Sequence, residues 1–268
     1  MAHLRRPIAL ALVLAMVLSS FVLIARPVSA AQGKPTWTQG DFWVYTRTEG
    51  SATSTVRMDV LEQSTLTLAL GTYTVWHVTT TTTPSSGSVT IQHTWIRDSD
   101  LGTAKANFTV FGNDVQVTFD PPLVQAQFPL TVNAQWSLST TIRVVSSGFS
   151  FPLAYSGLVT AEQSTSVPAG TFNVAIIRSP STGTQRTESH YSEGAGNNVR
   201  QESYASNGTK TADQQLTSFR YQSGSMFLIL ILVGVLLVAG LGIAAFVVLR
   251  RRRRGTPGAP PPPPPPGP

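Results

Sequence analysis

Three histidines carry the chemical potential of residues 32–225: His77, His93 and His190. Imidazole is the side chain best suited to proton transfer or metal ligation near neutral pH. A metal centre built on these three would need them to converge, with Asp98, Asp100 or Glu188 completing the shell. Their spacing gives no pair on one helix face. His77 reads as a strand residue, and His93 and His190 each precede an aromatic, Trp95 or Tyr191. They are therefore expected as isolated strand histidines. The chain has no cysteine, so it has neither a thiol nucleophile nor a zinc–thiolate site. No G-x-S-x-G elbow, H-E-x-x-H, P-loop or S-x-x-K motif occurs in this region. Asp98-Ser99-Asp100-Leu101-Gly102 lacks the further ligands of a calcium loop and reads as a turn. No catalytic, cofactor-binding or metal-binding residue is nominated, and the protein is expected not to be an enzyme.

The 268 residues carry 19 Lys+Arg, 13 Asp+Glu and a formal charge of +6. The excess sits at the ends. Arg5, Arg6 and Arg26 lie in the first 31 residues, and Arg250, Arg251, Arg252, Arg253 and Arg254 follow the last apolar run. Between Asp41 and Asp213 all 13 acids occur. With only 11 bases in residues 32–225, this region is slightly acidic, so no nucleic-acid partner is expected.

Residues 1–31 have a positive start, an apolar run from Ile8 to Ala25, and a small-residue end at Val28-Ser29-Ala30-Ala31. This is the pattern of a secretory signal peptide cut after Ala30 or Ala31. An uncleaved anchor is the competing arrangement. Met226 to Leu249 holds 24 residues without a charge, enough for a tilted transmembrane helix. The five arginines that follow are expected in the cytoplasm. The expected topology is a single-pass cell-membrane protein with its domain outside, the bilayer being its first partner. Residues 250–268 form an Arg/Pro-rich cytoplasmic tail with seven prolines from Pro260 to Pro266. Such a tail samples polyproline II, which an aromatic groove on a cytoplasmic partner can recognise.

The external region reads as β. Val56, Met58 and Val60 alternate with polar residues, as do Leu66, Leu68 and Leu70, and Val115, Val117 and Phe119. Glu49-Gly50, Ser86-Gly87, Gly112-Asn113, Gly148 and Asn207-Gly208 mark turns. Thr79 to Thr83 continue a strand that starts at Val75. The sequons at Asn107 and Asn207 permit N-glycosylation outside the cell.

One unit occurs twice. Trp43 and Trp136 stand 93 residues apart, and Leu70-Gly71-Thr72-Tyr73 matches Ala169-Gly170-Thr171-Phe172 at an offset of 99. Trp95, Gly102 and Lys105 match Tyr191, Gly196 and Arg200 at offsets of 96, 94 and 95. The expected fold is mainly β: two tandem antiparallel curved-sheet modules at 32–122 and 123–225, joined near Asp120-Pro121-Pro122, plus the C-terminal transmembrane helix at 226–249.

Val167-Pro168-Ala169-Gly170-Thr171-Phe172, then Tyr191-Ser192, then Gly196-Asn197-Asn198-Val199-Arg200, resembles a motif set of secreted or membrane-anchored bacterial and archaeal proteins. Their fold is similar to the lipoprotein-carrier (LolA-like) group. The resemblance covers residues 128–204 and, more weakly, 36–115, where Leu70-Gly71 replaces the Pro-Ala-Gly turn. It implies a strongly curved antiparallel sheet, often with a helix in its concavity, and a concave apolar face; it carries no catalytic residues. Taken by themselves, Pro168, Gly170 and Phe172 need only a turn and an apolar anchor, and the five tryptophans need only packing. The expected function is non-catalytic binding of an apolar ligand, a glycan or an envelope protein. A structural spacer or adhesin without a small-molecule ligand is the alternative.

Overall fold

The computed structural model describes residues 31–110 and 112–221. The segments read as signal peptide, transmembrane helix and arginine/proline-rich tail lie outside the described residues. Within them, no helix is long and apolar enough to cross a membrane, a statement that does not touch crossing by strands.

Twelve antiparallel strands form the fold. They are β1 Phe42–Glu49, β2 Ala52–Leu68, β3 Gly71–Pro84, β4 Thr90–Arg97, β5 Thr103–Val110 and β6 Asn113–Leu123. Then follow β7 Gln135–Val144, β8 Ser150–Val167, β9 Gly170–Ser179, β10 Arg186–Ser192, β11 Asn197–Tyr204 and β12 Lys210–Arg220. Each pairs with its sequence neighbours, and β1 pairs with β12, so the sheet closes into a barrel. Closure leaves no edge exposed to another chain.

This corrects the expected fold of two tandem curved-sheet modules. The β6–β7 seam is an ordinary antiparallel pairing, Val117–Val144 to Asp120–Thr141, and the last strand returns to the first. The physical reason is that six strands leave two open edges, and two such halves satisfy four edges by joining at both seams. Pro121 and Pro122 do not end the strand. β6 continues to Leu123, and the prolines lie beyond its last pair with β7, where no ladder donor is needed. The helix that the carrier resemblance implies is missing among the described residues.

The two halves do carry matching local features. Leu61 bulges between Val60 and Glu62, and Thr160 bulges between Val159 and Ala161. Gly40 N donates to Val60 O and Val60 N to Asp41 O; Asn133 N donates to Val159 O and Val159 N to Ala134 O. The Thr67–Thr72 hydroxyl pair at 3.1 Å answers Ser166–Thr171 at 2.9 Å. The register also corrects one sequence match. Trp95 pairs with Lys105 before a bulge at Ala104, and His190 pairs with Arg200 before a bulge at Val199. The counterpart of Trp95 is therefore His190, and Ile96 is the counterpart of Tyr191.

Following the register around the ring separates two faces. Tyr45, Val56, Met58, Val78, Ile96, Ala106, Val117, Trp136, Tyr155, Ile177, Tyr191 and Leu216 point into the lumen. His77, His93, Trp95, His190, Arg200, Glu202 and Asp213 point outward. The lumen is plugged by the two lead-in segments before β1 and β7. These segments are repeat counterparts and pair with each other through Gln32 and Leu130. Leu130, fully buried, packs with Trp136, Val159, Ala175, Ile177 and Tyr191. Trp37 does the equivalent work against Trp43. Full burial of such side chains stabilises by about 1.5–3 kcal/mol each.

Candidate functional site

The plugs do not fill the lumen. A cavity of about 230 Å³ remains between them and the wall, lined by Trp37, Met58, Ile96, Phe128, Tyr155, Ile177 and Tyr191 among others. Its polar side chains are uncharged: Thr103, Gln125, Ser189, Asn197, Asn198, Tyr155 and Tyr191. A second cavity, about 560 Å³, shares Ala126 and Phe128 with the first. It lies at the barrel end where the described chain begins and ends, among Lys34, Arg97, Asp100, Pro121 and Thr140. Ligand sites typically occupy about 300–1,000 Å³; the second cavity falls in that range, and the lumen cavity, below it, suits a small group or one end of a longer ligand.

Hydrogen bonds fix the walls. Trp37 Nε1 donates to Gly196 O at 2.9 Å and Trp43 Nε1 to Ala195 O at 2.6 Å. Tyr191 donates its hydroxyl to Gly33 O at 2.9 Å, tying the first plug to β10. Gly33 N in turn donates to Glu193, and Lys34 donates to Asp98 O at 2.8 Å. Burial pushes the Tyr191 hydroxyl far above its ordinary range, with smaller contributions from Tyr221 and Glu193. Burial raises Tyr155 as well, partly offset by a hydrogen bond to Ser179. Both tyrosines stay neutral donors at physiological pH. At the second cavity Arg97 is held by Asp100. The arrangement can enclose an apolar group in the lumen and meet a polar group in the adjoining cavity.

The histidines do not gather here. His77 Nε2 and His93 Nδ1 lie 3.0 Å apart on the outer face, while His190 sits apart on β10. Of the acids considered with them, Asp98 accepts from Trp76 Nε1 at 2.8 Å, Asp100 pairs with Arg97, and Glu188 pairs with Arg186 at 2.6 Å. The Asp98–Gly102 segment is a turn, with Asp100 Oδ1 accepting from Gly102 N and Leu101 at φ 60°. Among the described residues no three His, Asp or Glu side chains form a metal cage. Gly170 has φ 137° in its turn, and Phe172 anchors on Phe219 with ring centroids 5.7 Å apart. Asn107 lies within β5, and Asn207 is exposed in the β11–β12 turn. Arg250 to Arg254 lie outside the described residues.

Sequence alternation already grouped Val56, Met58 and Val60 on one face, now the lumen wall. It missed Ile96, Tyr155 and Ile177 as cavity residues. It also missed that the Trp37 and Leu130 segments enter the barrel, because a plug has no periodicity of its own.

No protein-family model matches the sequence, and no curated protein matches it. Two solved structures are similar over 71% of this chain and 100% of theirs. One is a candidate lipoprotein from Parabacteroides distasonis, at 14% identity and a TM-score of 0.41. The other is a candidate exported protein with a YmcC-like fold from Bacteroides fragilis, at 10% identity and a TM-score of 0.36. A lipoprotein-carrier (LolA-like) fold is not shown by either, and likeness at this level carries no argument about function.

Proposed function

We propose that this protein is an extracytoplasmic, membrane-associated binding protein whose barrel lumen takes a small apolar or amphiphilic ligand. The observation that carries the reading is the uncharged, aromatic-lined lumen cavity adjoining a second cavity that holds Lys34 and the Arg97–Asp100 pair. A solid core would have suited a spacer better. A binding role fits the lining of the lumen cavity, whose polar side chains among the described residues are Thr, Gln, Ser, Asn and Tyr. Placement outside the cytoplasm rests on the sequence of residues 1–31, and membrane association on the apolar run of residues 226–249.

The test is native mass spectrometry of full-length protein released from membranes, with titration of an environment-sensitive apolar fluorophore. Ala126→Trp places an indole between the two cavities. Saturable binding by the parent and its loss in a folded Ala126→Trp variant support the reading. Equal binding by both would move the ligand elsewhere, and no binding by the parent would return the protein to a structural role.

A further inference from the structure

The outer face of β3–β5 carries a second cluster, independent of the lumen. His77 Nε2 faces His93 Nδ1 at 3.0 Å. On the other side of the His77 ring, Nδ1 lies 3.7 Å from Glu62 Oε1. Asn107 stands directly across the β4–β5 ladder from His93, and its Oδ1 is buried with no hydrogen-bond partner. A buried carbonyl oxygen without a donor forgoes a stabilising interaction and calls for an explanation. The Trp95 ring stacks on His77, with centroids 4.7 Å apart and planes 2° apart, so the imidazole is held in place.

We propose that His77 and His93, with Asn107 Oδ1 as a third donor, form a binding site for a first-row divalent transition-metal ion. The carboxylate of Glu62 favours the His77 tautomer with its proton on Nδ1. That leaves the Nε2 lone pair aimed at His93. A carboxylate behind a ligating histidine is the usual outer-shell arrangement of such sites. Two nitrogens on one ion at about 2.0–2.1 Å stand roughly 3.3 Å apart in tetrahedral geometry. The observed 3.0 Å contact is a hydrogen bond in which His93 Nδ1 donates to His77 Nε2, so metal binding replaces it: the His93 proton moves to its Nε2 and both rings turn until their lone pairs converge on one ion. Imidazole nitrogen selects copper, nickel and zinc over magnesium and calcium.

Other charges agree with a modest affinity. Lys105 places a positive charge nearby, its Nζ 4.2 Å over the Trp95 ring that stacks on His77.

Untagged full-length protein is titrated calorimetrically with Cu²⁺, Ni²⁺, Zn²⁺ and Mg²⁺. The expected result is one equivalent per chain, tightest for Cu²⁺ and undetected for Mg²⁺. Cu²⁺ should quench tryptophan fluorescence, and Trp95→Phe should remove most of that quench while binding persists. Glu62→Gln should weaken binding by about tenfold or more. The His77→Ala and His93→Ala variants should each lose it, and His190→Asn should not change it. No heat with Cu²⁺, or binding that survives in the folded His77→Ala/His93→Ala double variant, would overturn the assignment.

Discussion

Gly157 sits opposite Trp136 across β7 and β8, and a Cβ there would lie 2.3 Å from the indole ring. An aromatic ring wedged between strands cannot yield as a flexible chain can. Gly157→Ala is expected to cost about 1–3 kcal/mol, read as a lower urea midpoint at unchanged slope. On the outer face, Asp213 accepts from Arg200 at 2.7 Å and from Lys210 at 3.0 Å. Burial pushes its carboxyl upward, but these bonds and one from Gln215 outweigh burial and hold it well below the usual carboxylate range. Its stabilisation is full above the unfolded value near pH 4 and is lost as pH falls below that. Asp213→Asn should cost about 2 kcal/mol at pH 7 and lose less than the parent on acidification, by urea melts at each pH. His190 works in a higher window. Burial lowers its proton affinity despite Glu202 at 3.6 Å. Below pH ~6.5 the unfolded chain takes the proton more readily than the folded one, so stability falls as pH drops. His190→Asn should make the decline in Tm between neutral pH and the folded-state pKa shallower.

The long hairpins and the plugs set the element scale. β8 and β9 extend past the end of β10, and their tip folds back so that Ala169 N donates to Leu216 O at 3.0 Å. The β2–β3 tip does the same toward β6, with Leu70 N donating to Asp120 Oδ2 at 3.0 Å. Each arm bends at its bulge, Leu61 or Thr160, where one unpaired residue re-aims the strand. The second arm covers His190, whose Nδ1 lies 3.0 Å from Thr165 Oγ1. The plug before β7 depends on Leu130. Leu130→Ala should cost about 3 kcal/mol and enlarge the lumen. Thermal melts should show the loss, and a bulkier apolar fluorophore should then bind better than it does to the parent.

For the whole molecule, the two seams decide the architecture. Residues 32–122 or 123–221 expressed alone carry six strands and two open edges, so each should associate or aggregate; co-expressed, they should elute as one barrel on size exclusion. A stable monomeric half would contradict this. Much of the fold was legible in the chain. Alternating runs such as Val56-Met58-Val60 gave strands and their buried face, glycines such as Gly50 and Gly208 gave turns, and the Trp43/Trp136 and Gly71/Gly170 spacings gave the duplication. These features are local, set by side-chain periodicity of two and by backbone conformations that glycine adopts freely. Ring closure was not legible, because pairing β1 with β12 joins residues some 170 positions apart and leaves no trace in spacing. The candidate site was hidden for the same reason. Trp37, Ile96, Tyr155 and Ile177 come from separate strands and a plug, and only closure brings them around one cavity. Likewise His77 and His93 look like solitary strand residues until the β3–β4 register sets them side by side. The sequence by itself determined the strands, the turns, the repeated unit and the charge-marked ends. The tertiary structure alone decided that the two units share one barrel, because edge satisfaction is a property of the whole sheet and of no single strand.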